Sequence, residues 1–158
     1  MIEQNLIKLF EHSFKNNWEL PAYTNYYRQV TLTYGDSAKQ IAKLHLLFEQ
    51  ANIKPGDKIA LIGRNTPNWT ITYVAVVTYG AVIVPILQDF NANDVHHIVN
   101  HSDSVLLFCS DKIWDKLDED KMDKLMAVIS LNDFTCMYQN EEATMHSMLT
   151  NLNDEFAA

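Results

Sequence analysis

The sequence predicts an α/β domain with a mainly parallel sheet and helices on both faces, preceded by an N-terminal helix and a short β-hairpin. Four short apolar runs alternate with helical patterns, the order expected of parallel strands joined by right-handed crossovers. The runs are uniformly apolar, which is typical of strands covered on both faces. A chain of 158 residues, 47% of them hydrophobic, can bury one core. The four runs lie at 59–62, 81–87, 105–109 and 126–131.

The first third of the chain predicts a helix, a hairpin and a second helix. Residues 3–16 carry apolar side chains at helical spacing, which predicts a one-sided apolar stripe. Aromatic and β-branched residues crowd positions 18–33 and predict two short strands with a turn near Arg28. Thr33 or Asp36 can cap the helix that follows.

Proline and glycine mark the boundaries of the next elements. The sequence Lys-Pro-Gly-Asp at 54–57 predicts a type II turn before the first apolar run. Pro67, with Asn65 or Thr66 as the cap, suits the first turn of the next helix, and Gly80 suits its C-terminal end. Two shorter helical segments are predicted at 93–101 and 113–117.

Charge and cysteine usage exclude several classes of protein. Residues 1–64 carry a net charge of +2 and residues 65–158 a net charge of −10, so we expect no nucleic-acid partner. Cys109 and Cys136 form no CxxC pair, which fits a reducing compartment and supports neither a disulfide framework nor a zinc site. The longest apolar run is shorter than the roughly 20 residues that span a bilayer, and the start of the chain lacks a secretion signal. We therefore expect a cytoplasmic protein.

Ligands of open α/β sheets bind beyond the carboxyl ends of the strands. Here those positions are the loops at 63–66, 88–91 and 110–111. Arg64 precedes a helix N-terminus that could hold an anion. We favour a surface arginine beside a helix cap, because Gly63 alone does not make the three-glycine dinucleotide fingerprint.

For two other candidate sites, a structural interpretation is favoured over a functional one. Asp94, His97 and His101 share one helix face and could hold a metal, but a His-rich surface helix explains them without a fourth ligand. Cys109 is expected to be a packed core thiol. Trp69 and Tyr73 are one helical turn apart and are expected to pack in the core. The sequence thus predicts no catalytic, cofactor-binding or metal-binding residue within this chain.

The end of the chain differs from the rest. Residues 132–158 are polar, acidic and weakly periodic, and Met145, Met148 and Leu149 predict one or two helical turns. We divide the chain into an α/β subdomain, 1–131, and an acidic connecting segment, 132–158, and expect it to be cut from a longer protein. No glycine follows Gly80, so no phosphate-cradling Gly-rich loop is present in the second half.

Six segments between residues 20 and 131 form a further pattern through their order and spacing. They are Leu-Thr-Tyr-Gly-Asp at 32–36, Lys-Pro-Gly-Asp-Lys-Ile-Ala-Leu at 54–61, Asn-Thr-Pro-Asn-Trp at 65–69, Tyr-Gly-Ala-Val-Ile-Val-Pro-Ile at 79–86, the helix at 98–103 and the strand at 106–108. Together they resemble the opening of adenylate-forming acid–CoA ligases, and the Asn–Pro–Trp helix and Val-Pro-Ile strand look most like the long-chain fatty acyl branch. The residues at 87–90 and 92–95 depart from that branch.

The resemblance implies part of a larger ligase fold. Enzymes of this family adenylate a carboxylic acid with ATP and Mg²⁺ and then transfer the acyl group to coenzyme A. Their Ser/Thr/Gly-rich phosphate loop, acidic motif, Arg hinge and catalytic Lys are not found in this sequence, so no catalytic residue carries over. The chain is therefore expected to be an N-terminal subdomain, inactive alone, whose partners are the remainder of the ligase and, in the full-length enzyme, a fatty acid.

Two other functions stay open at the level of sequence. One is a stand-alone interaction or regulatory module that keeps only the ligase N-terminal fold, and the other is an unrelated small-molecule-binding α/β domain. We also expect the isolated chain to self-associate through an exposed sheet edge and apolar patch. Contact of the full-length enzyme with the membrane surface is left open.

Overall fold

The structure, a computed structural model, describes residues 5–157 of the chain and the side chains of residues 5–155. A single 3₁₀ turn, Glu119–Lys121, precedes β6. The helices and strands are α1 Leu6–Asn16, β1 Pro21–Asn25, β2 Val30–Thr33, α2 Tyr34–Gln50, β3 Lys58–Ile62, α3 Pro67–Tyr79, β4 Val82–Ile86, α4 Ala92–His101, β5 Ser104–Cys109, α5 Asp111–Trp114, β6 Ala127–Ser130, β7 Cys136–Gln139 and α6 Met145–Ala157.

The strands form an antiparallel hairpin, β1–β2, and a five-stranded sheet in the order β4-β3-β5-β6-β7. Strands β4, β3, β5 and β6 are parallel, and β7 runs antiparallel beside β6. The chain passes from β3 to β4 on one side and then crosses back to β5 on the other side of β3. The predicted α/β fold with a mainly parallel sheet is confirmed, and its direction of winding reverses at β3.

Helices cover both faces of the sheet, because residues of the central strands alternate between two separate apolar clusters. The first cluster includes residues of α2, α3 and α6, and the second includes residues of α4 and the segment before β6. The strands give Ile59, Leu61, Leu106, Phe108, Ala127 and Ile129 to the first cluster and Ala60, Ile62, Leu107, Cys109 and Val128 to the second.

Strand β4 corrects the expectation that every apolar run is covered on both faces. Within residues 5–157 it lies at the end of the sheet order and pairs only with β3, and its Val82 side chain is 46% exposed. Pro85 has no backbone N–H to donate, which suits an edge strand. An apolar run by itself does not distinguish a central strand from an edge strand.

The predicted helix ends are confirmed. Thr33 and Asp36 cap α2 together, since the Asp36 N–H donates to Thr33 Oγ1 and the Thr33 N–H donates to Asp36 Oδ2. Thr66 is the N-cap of α3, with Pro67 as the first helical residue. Gly80 ends α3 in the left-handed conformation, φ 93°, which favours glycine.

The N-terminal elements also follow the prediction. Helix α1 begins at Leu6 behind an Asn5 cap, and the predicted start near residue 3 lies outside the described residues. The hairpin turn contains Arg28, as expected. Trp18 packs so closely on Gly35 that a Cβ there would lie 2.7 Å from the indole ring.

The segment after β5 differs from the prediction. The helix expected at 113–117 is the single turn α5, and a longer loop leads to β6. This loop is held by His96, whose Nε2 accepts the Asp118 N–H at 3.0 Å. His96 is 6% exposed, and burial, together with the charge of Lys121, lowers the pKa of its imidazole. This role of His96 could not be predicted, because one sequence does not show which loop folds onto a helix.

The expectation of little regular structure in residues 132–158 is wrong. Residues 136–139 form β7, and α6 is a 13-residue helix that packs against α2. Met145, Leu149 and Leu152 of α6 belong to the first core cluster. Their spacing of four and three residues is a helical stripe that the surrounding polar residues obscured. The division of the chain at residue 131 stays a prediction.

Within residues 5–157, none of the helices combines the length and the hydrophobicity that crossing a bilayer requires.

Replacing Gly80 by alanine should lower the free energy of unfolding by about 1–2 kcal/mol, because its Cβ is strained at φ 93°. Urea unfolding followed by circular dichroism measures the change. Gly80→Asn is the matched control and should lose less, since asparagine tolerates this conformation. Equal losses for both variants would contradict the explanation.

Leu152→Ala should lower the free energy of unfolding by about 2–5 kcal/mol, because the side chain is fully buried in the first core cluster. The exposed neighbour provides the control, and Asn151→Ala should change stability by no more than about 0.5 kcal/mol. A Leu152→Ala variant as stable as the control would show that α6 is not part of the folded core.

Candidate functional site

A cleft of about 550 Å³ opens at the carboxyl-terminal edge of the parallel sheet. Three separate segments form it: the hairpin, the loop from β3 into α3, and the first residues after β6. We call it the arginine cleft, because it contains Arg28 and Arg64. Its lining residues are Thr24, Asn25, Tyr26, Tyr27, Arg28, Val30, Leu32, Arg64, Asn65, Thr66, Pro67, Asn68, Leu131 and Asn132.

The fold places the arginine cleft where open α/β sheets bind ligands. The winding reverses at β3, and the loop at 63–66 leaves the carboxyl end of that strand. Gly63 lies close to the chain after β6, since a Cβ on Gly63 would lie 2.8 Å from Leu131 Cδ1. A larger residue at 63 would therefore have to displace a side chain that lines the cleft.

Asn68 joins the two sheet-derived walls of the cleft. Its Nδ2 donates to the carbonyl oxygens of Leu131, at 2.8 Å, and Asn132, at 3.4 Å. The Asn132 N–H donates to Ser130 Oγ at 3.0 Å, and Ser130 Oγ donates to Asp111 Oδ1 at 2.5 Å. The chain segments that follow β3, β5 and β6 are thus connected by side-chain hydrogen bonds.

The hairpin turn reaches the same edge through Arg28. Its Nη1 donates to the Asn132 carbonyl at 3.3 Å, across 104 positions of sequence. The Arg28 N–H donates to Asn25 Oδ1 within the turn, and Gln29 adopts φ 53°. The turn therefore presents the exposed side chains of Arg28 and its two preceding tyrosines next to the loop after β3.

The electrostatic character of the cleft is positive. Neither aspartate nor glutamate is among its lining residues, and Arg64 has no hydrogen bond or ion pair with any described residue. Asp133 lies just outside, near enough for the charge of Arg28 to affect it. Burial opposes ionisation of Asp133, but donors on Thr135 and the charge of Arg28 outweigh it and lower the pKa of this carboxyl group.

The structure places only one of the three predicted ligand-binding loops in the arginine cleft. The loop at 63–66 lines the arginine cleft, whereas the loops at 88–91 and 110–111 do not. Residue 111 reaches the cleft only indirectly, through the hydroxyl of Ser130. Arg64 is exposed beside the Thr66 cap, as the favoured interpretation expected.

The candidate metal face does not converge on one point. The rings of His97 and His101 stack with their centroids 5.6 Å apart, while Asp94 Oδ2 accepts from Asn91 Nδ2. Among residues 5–155, no group of three or more histidine, cysteine, aspartate or glutamate side chains is arranged to hold a metal ion.

The remaining candidates are structural. Cys109 is fully buried in β5, and burial, with a smaller contribution from Asp111, raises the pKa of its thiol to about 12. It is the packed core thiol that the sequence predicted. Trp69 and Tyr73 stack with their centroids 5.5 Å apart against the first core cluster, as expected.

Sequence reasoning missed Arg28 and Asn132 as residues of a site. Both lie in turns, and their hydrogen bond depends on how the hairpin folds onto the sheet edge, which no local pattern encodes. One signal was available: Arg28 and Arg64 are the only arginines in the sequence.

Comparison with known proteins identifies the family. The model of the AMP-binding enzyme family matches residues 10–155. Among curated relatives, acetyl-coenzyme A synthetase of Chlorobaculum tepidum is 35% identical over 80 residues, which cover 51% of this chain and 12% of the relative. Long-chain-fatty-acid–CoA ligase FadD15 of Mycobacterium bovis is 27% identical over 100 residues, covering 60% of this chain and 17% of the relative.

Solved structures show the same fold at low identity. The N-terminal domain of FACL13 from Mycobacterium tuberculosis superposes with a TM-score of 0.71 at 19% identity, covering 89% of this chain and 39% of that one. The anthranilate CoA ligase AuaEII superposes with a TM-score of 0.75 at 12% identity, covering 82% of this chain and 26% of that one.

The aligned regions span only between 10% and 20% of the length of the curated relatives. Their names include acetyl-CoA, feruloyl-CoA and long-chain acyl-CoA synthetases. The family match itself extends over nearly all of the described residues, from α1 to α6. The chain therefore belongs to the family of AMP-binding enzymes, and its fold is that of their N-terminal region.

Proposed function

We propose that this chain is the N-terminal part of an ATP-dependent long-chain fatty acid–CoA ligase, and that it is inactive alone. The observation that carries the proposal is the family match over residues 10–155. The long-chain assignment has further support from the Asn–Pro–Trp start of α3 and the Val-Pro-Ile sequence of β4. In the whole enzyme, the acid would be adenylated with ATP and Mg²⁺ and then joined to coenzyme A.

The described residues do not fit the reacting groups of that enzyme. No glycine follows Gly80 in the sequence, and no described cluster of side chains could hold Mg²⁺. We therefore assign no step of the reaction to this chain. Its own contribution is a rigid sheet edge that positions the loops after β3, β5 and β6, and ATP, Mg²⁺ and coenzyme A would be bound elsewhere in the ligase.

Location and partners are part of the proposal. Both cysteines are free, with Cys109 buried, which supports a cytoplasmic enzyme. The partners would be the remainder of the ligase chain and a fatty acid. No nucleic-acid partner is proposed, because the sequence carries a net charge of −8.

The 158-residue chain should show no fatty-acid-dependent exchange of pyrophosphate into ATP, because it has no Gly-rich loop to hold the phosphates. A chain extended along the downstream reading frame should show exchange, with palmitate a better substrate than acetate or ferulate. Circular dichroism of both proteins controls for folding.

Exchange by the 158 residues alone would contradict the proposed inactivity. An extended chain that prefers acetate or ferulate would contradict the long-chain assignment. A stop codon directly after residue 158 would favour the alternative, a stand-alone interaction module.

We also propose that the isolated chain self-associates through strand β4. Among the described strands it pairs only with β3, so its outer edge can pair with a strand of a second molecule. Large apolar side chains are exposed along and beyond it: Val82 at 46%, Leu87 at 69% and Phe90 at 42%.

Light scattering should therefore show a mass above that of the monomer, rising with concentration. Val82→Lys combined with Leu87→Lys should shift the protein towards the monomer, because charges on an edge oppose pairing. Leu46→Lys is the control, since Leu46 is an exposed leucine on α2 away from the edge, and it should leave the association unchanged. A monomer at every concentration would contradict the proposal.

A further inference from the structure

The distribution of cations in this chain is uneven. The sequence has ten lysines and two arginines, and both arginines line the arginine cleft although they are 36 positions apart. Among the residues that the structure describes, no lysine, aspartate or glutamate lines the cleft. The cleft is thus a cationic site on a protein with a net negative charge.

Arginine and lysine differ in the anions that they suit. The guanidinium group is planar and presents its donors as a fork that matches two oxygens of a phosphate or carboxylate. Arg28 uses Nη1 to hold the Asn132 carbonyl, and Asp133 lies nearby. Arg64 has no partner among the described residues, so its full set of donors is available.

Other groups around the cleft favour an anion in the same place. Helix α3 begins there, at Pro67, and has no acidic residue in its first turn, so its positive end is uncompensated. Asn65 and Thr66 add polar side chains to the lining of the cleft.

An aromatic surface lies beside the cations. Tyr26 and Tyr27 are 76% and 88% exposed, and their rings meet edge to face with centroids 5.8 Å apart. Such rings offer a flat aromatic ligand a surface on which to stack.

We propose that the arginine cleft binds a phosphate monoester that carries a flat aromatic group. Two guanidinium groups favour the double charge of a phosphate monoester at neutral pH over the single charge of a carboxylate, and Asp133 offsets part of the charge of Arg28. The phosphate lies between Arg28 and Arg64, and the attached ring lies against Tyr26 and Tyr27. This proposal does not depend on the acid that the whole ligase activates.

Nuclear magnetic resonance can observe the two arginines directly, because the chain has only two Nε–Hε groups. The probe is phenyl phosphate, added at low ionic strength, at which charge contacts are weakly screened. Both Nε–Hε signals should shift and saturate with one dissociation constant. Inorganic phosphate should bind at least threefold more weakly and benzoate at least tenfold more weakly.

Variants distinguish a specific binding site from non-specific electrostatic attraction. Arg28→Gln and Arg64→Gln should each weaken phenyl phosphate at least tenfold, and both residues are exposed, so folding should be retained. Lys39→Gln removes an exposed cation from α2 outside the cleft and should change the affinity less than twofold.

Three results would overturn the proposal. One is an absence of saturable shifts, or shifts no larger than those caused by sodium chloride of equal ionic strength. Another is benzoate binding as tightly as phenyl phosphate. The third is an equal loss for the Lys39 variant and the arginine variants. None of these results depends on adenylation activity, so the failure of this proposal is distinct from the failure of the proposed function.

Discussion

The carboxyl-terminal edge of the sheet depends on the complete burial of residues 59–62 of strand β3. Residues Ile59, Ala60, Leu61 and Ile62 are all 0% exposed, and β3 pairs in parallel with both β4 and β5. The backbone N–H and C=O groups of a strand with no access to water must form hydrogen bonds with the two neighbouring strands. This pairing fixes the register of β4 and β5 against β3. Because the strands are parallel, their carboxyl ends then meet at one edge. The loops after β3 and β6 that line the arginine cleft both begin at this edge.

Side-chain hydrogen bonds join the chain segments at this edge around one cleft. Asn68, in the first turn of α3, donates to the chain after β6, and Arg28 donates to the same carbonyl of Asn132 from the opposite wall. The hairpin thus contributes to the site without joining the main sheet. The hydrogen bond from Arg28 to Asn132 holds one of the two arginines of the sequence at the cleft that the other, Arg64, also lines.

Much of the fold could be predicted from the sequence, because local rules decide it. The apolar run at 59–62, the Thr66–Pro67 start of α3 and the left-handed Gly80 each follow from one segment. The exposure of β4, the burial of α6 and the contact of Arg28 with Asn132 were not predictable in this way. Each depends on which segments become neighbours, and an apolar run, a polar helix or a turn carries no information about its neighbour. For the same reason the sequence pointed to Arg64 and missed Arg28.

In the site that we propose, the sheet edge and the hairpin make two guanidinium groups act on one anion. The most direct test is a phosphorus-31 titration of phenyl phosphate, free and bound to the chain, which reports the second pKa of the phosphate. Two positive charges in one cleft favour the dianion, so we expect a lower pKa for the bound ligand than for the free ligand, and a smaller shift when either arginine is replaced by glutamine. A pKa that is unchanged on binding would contradict it.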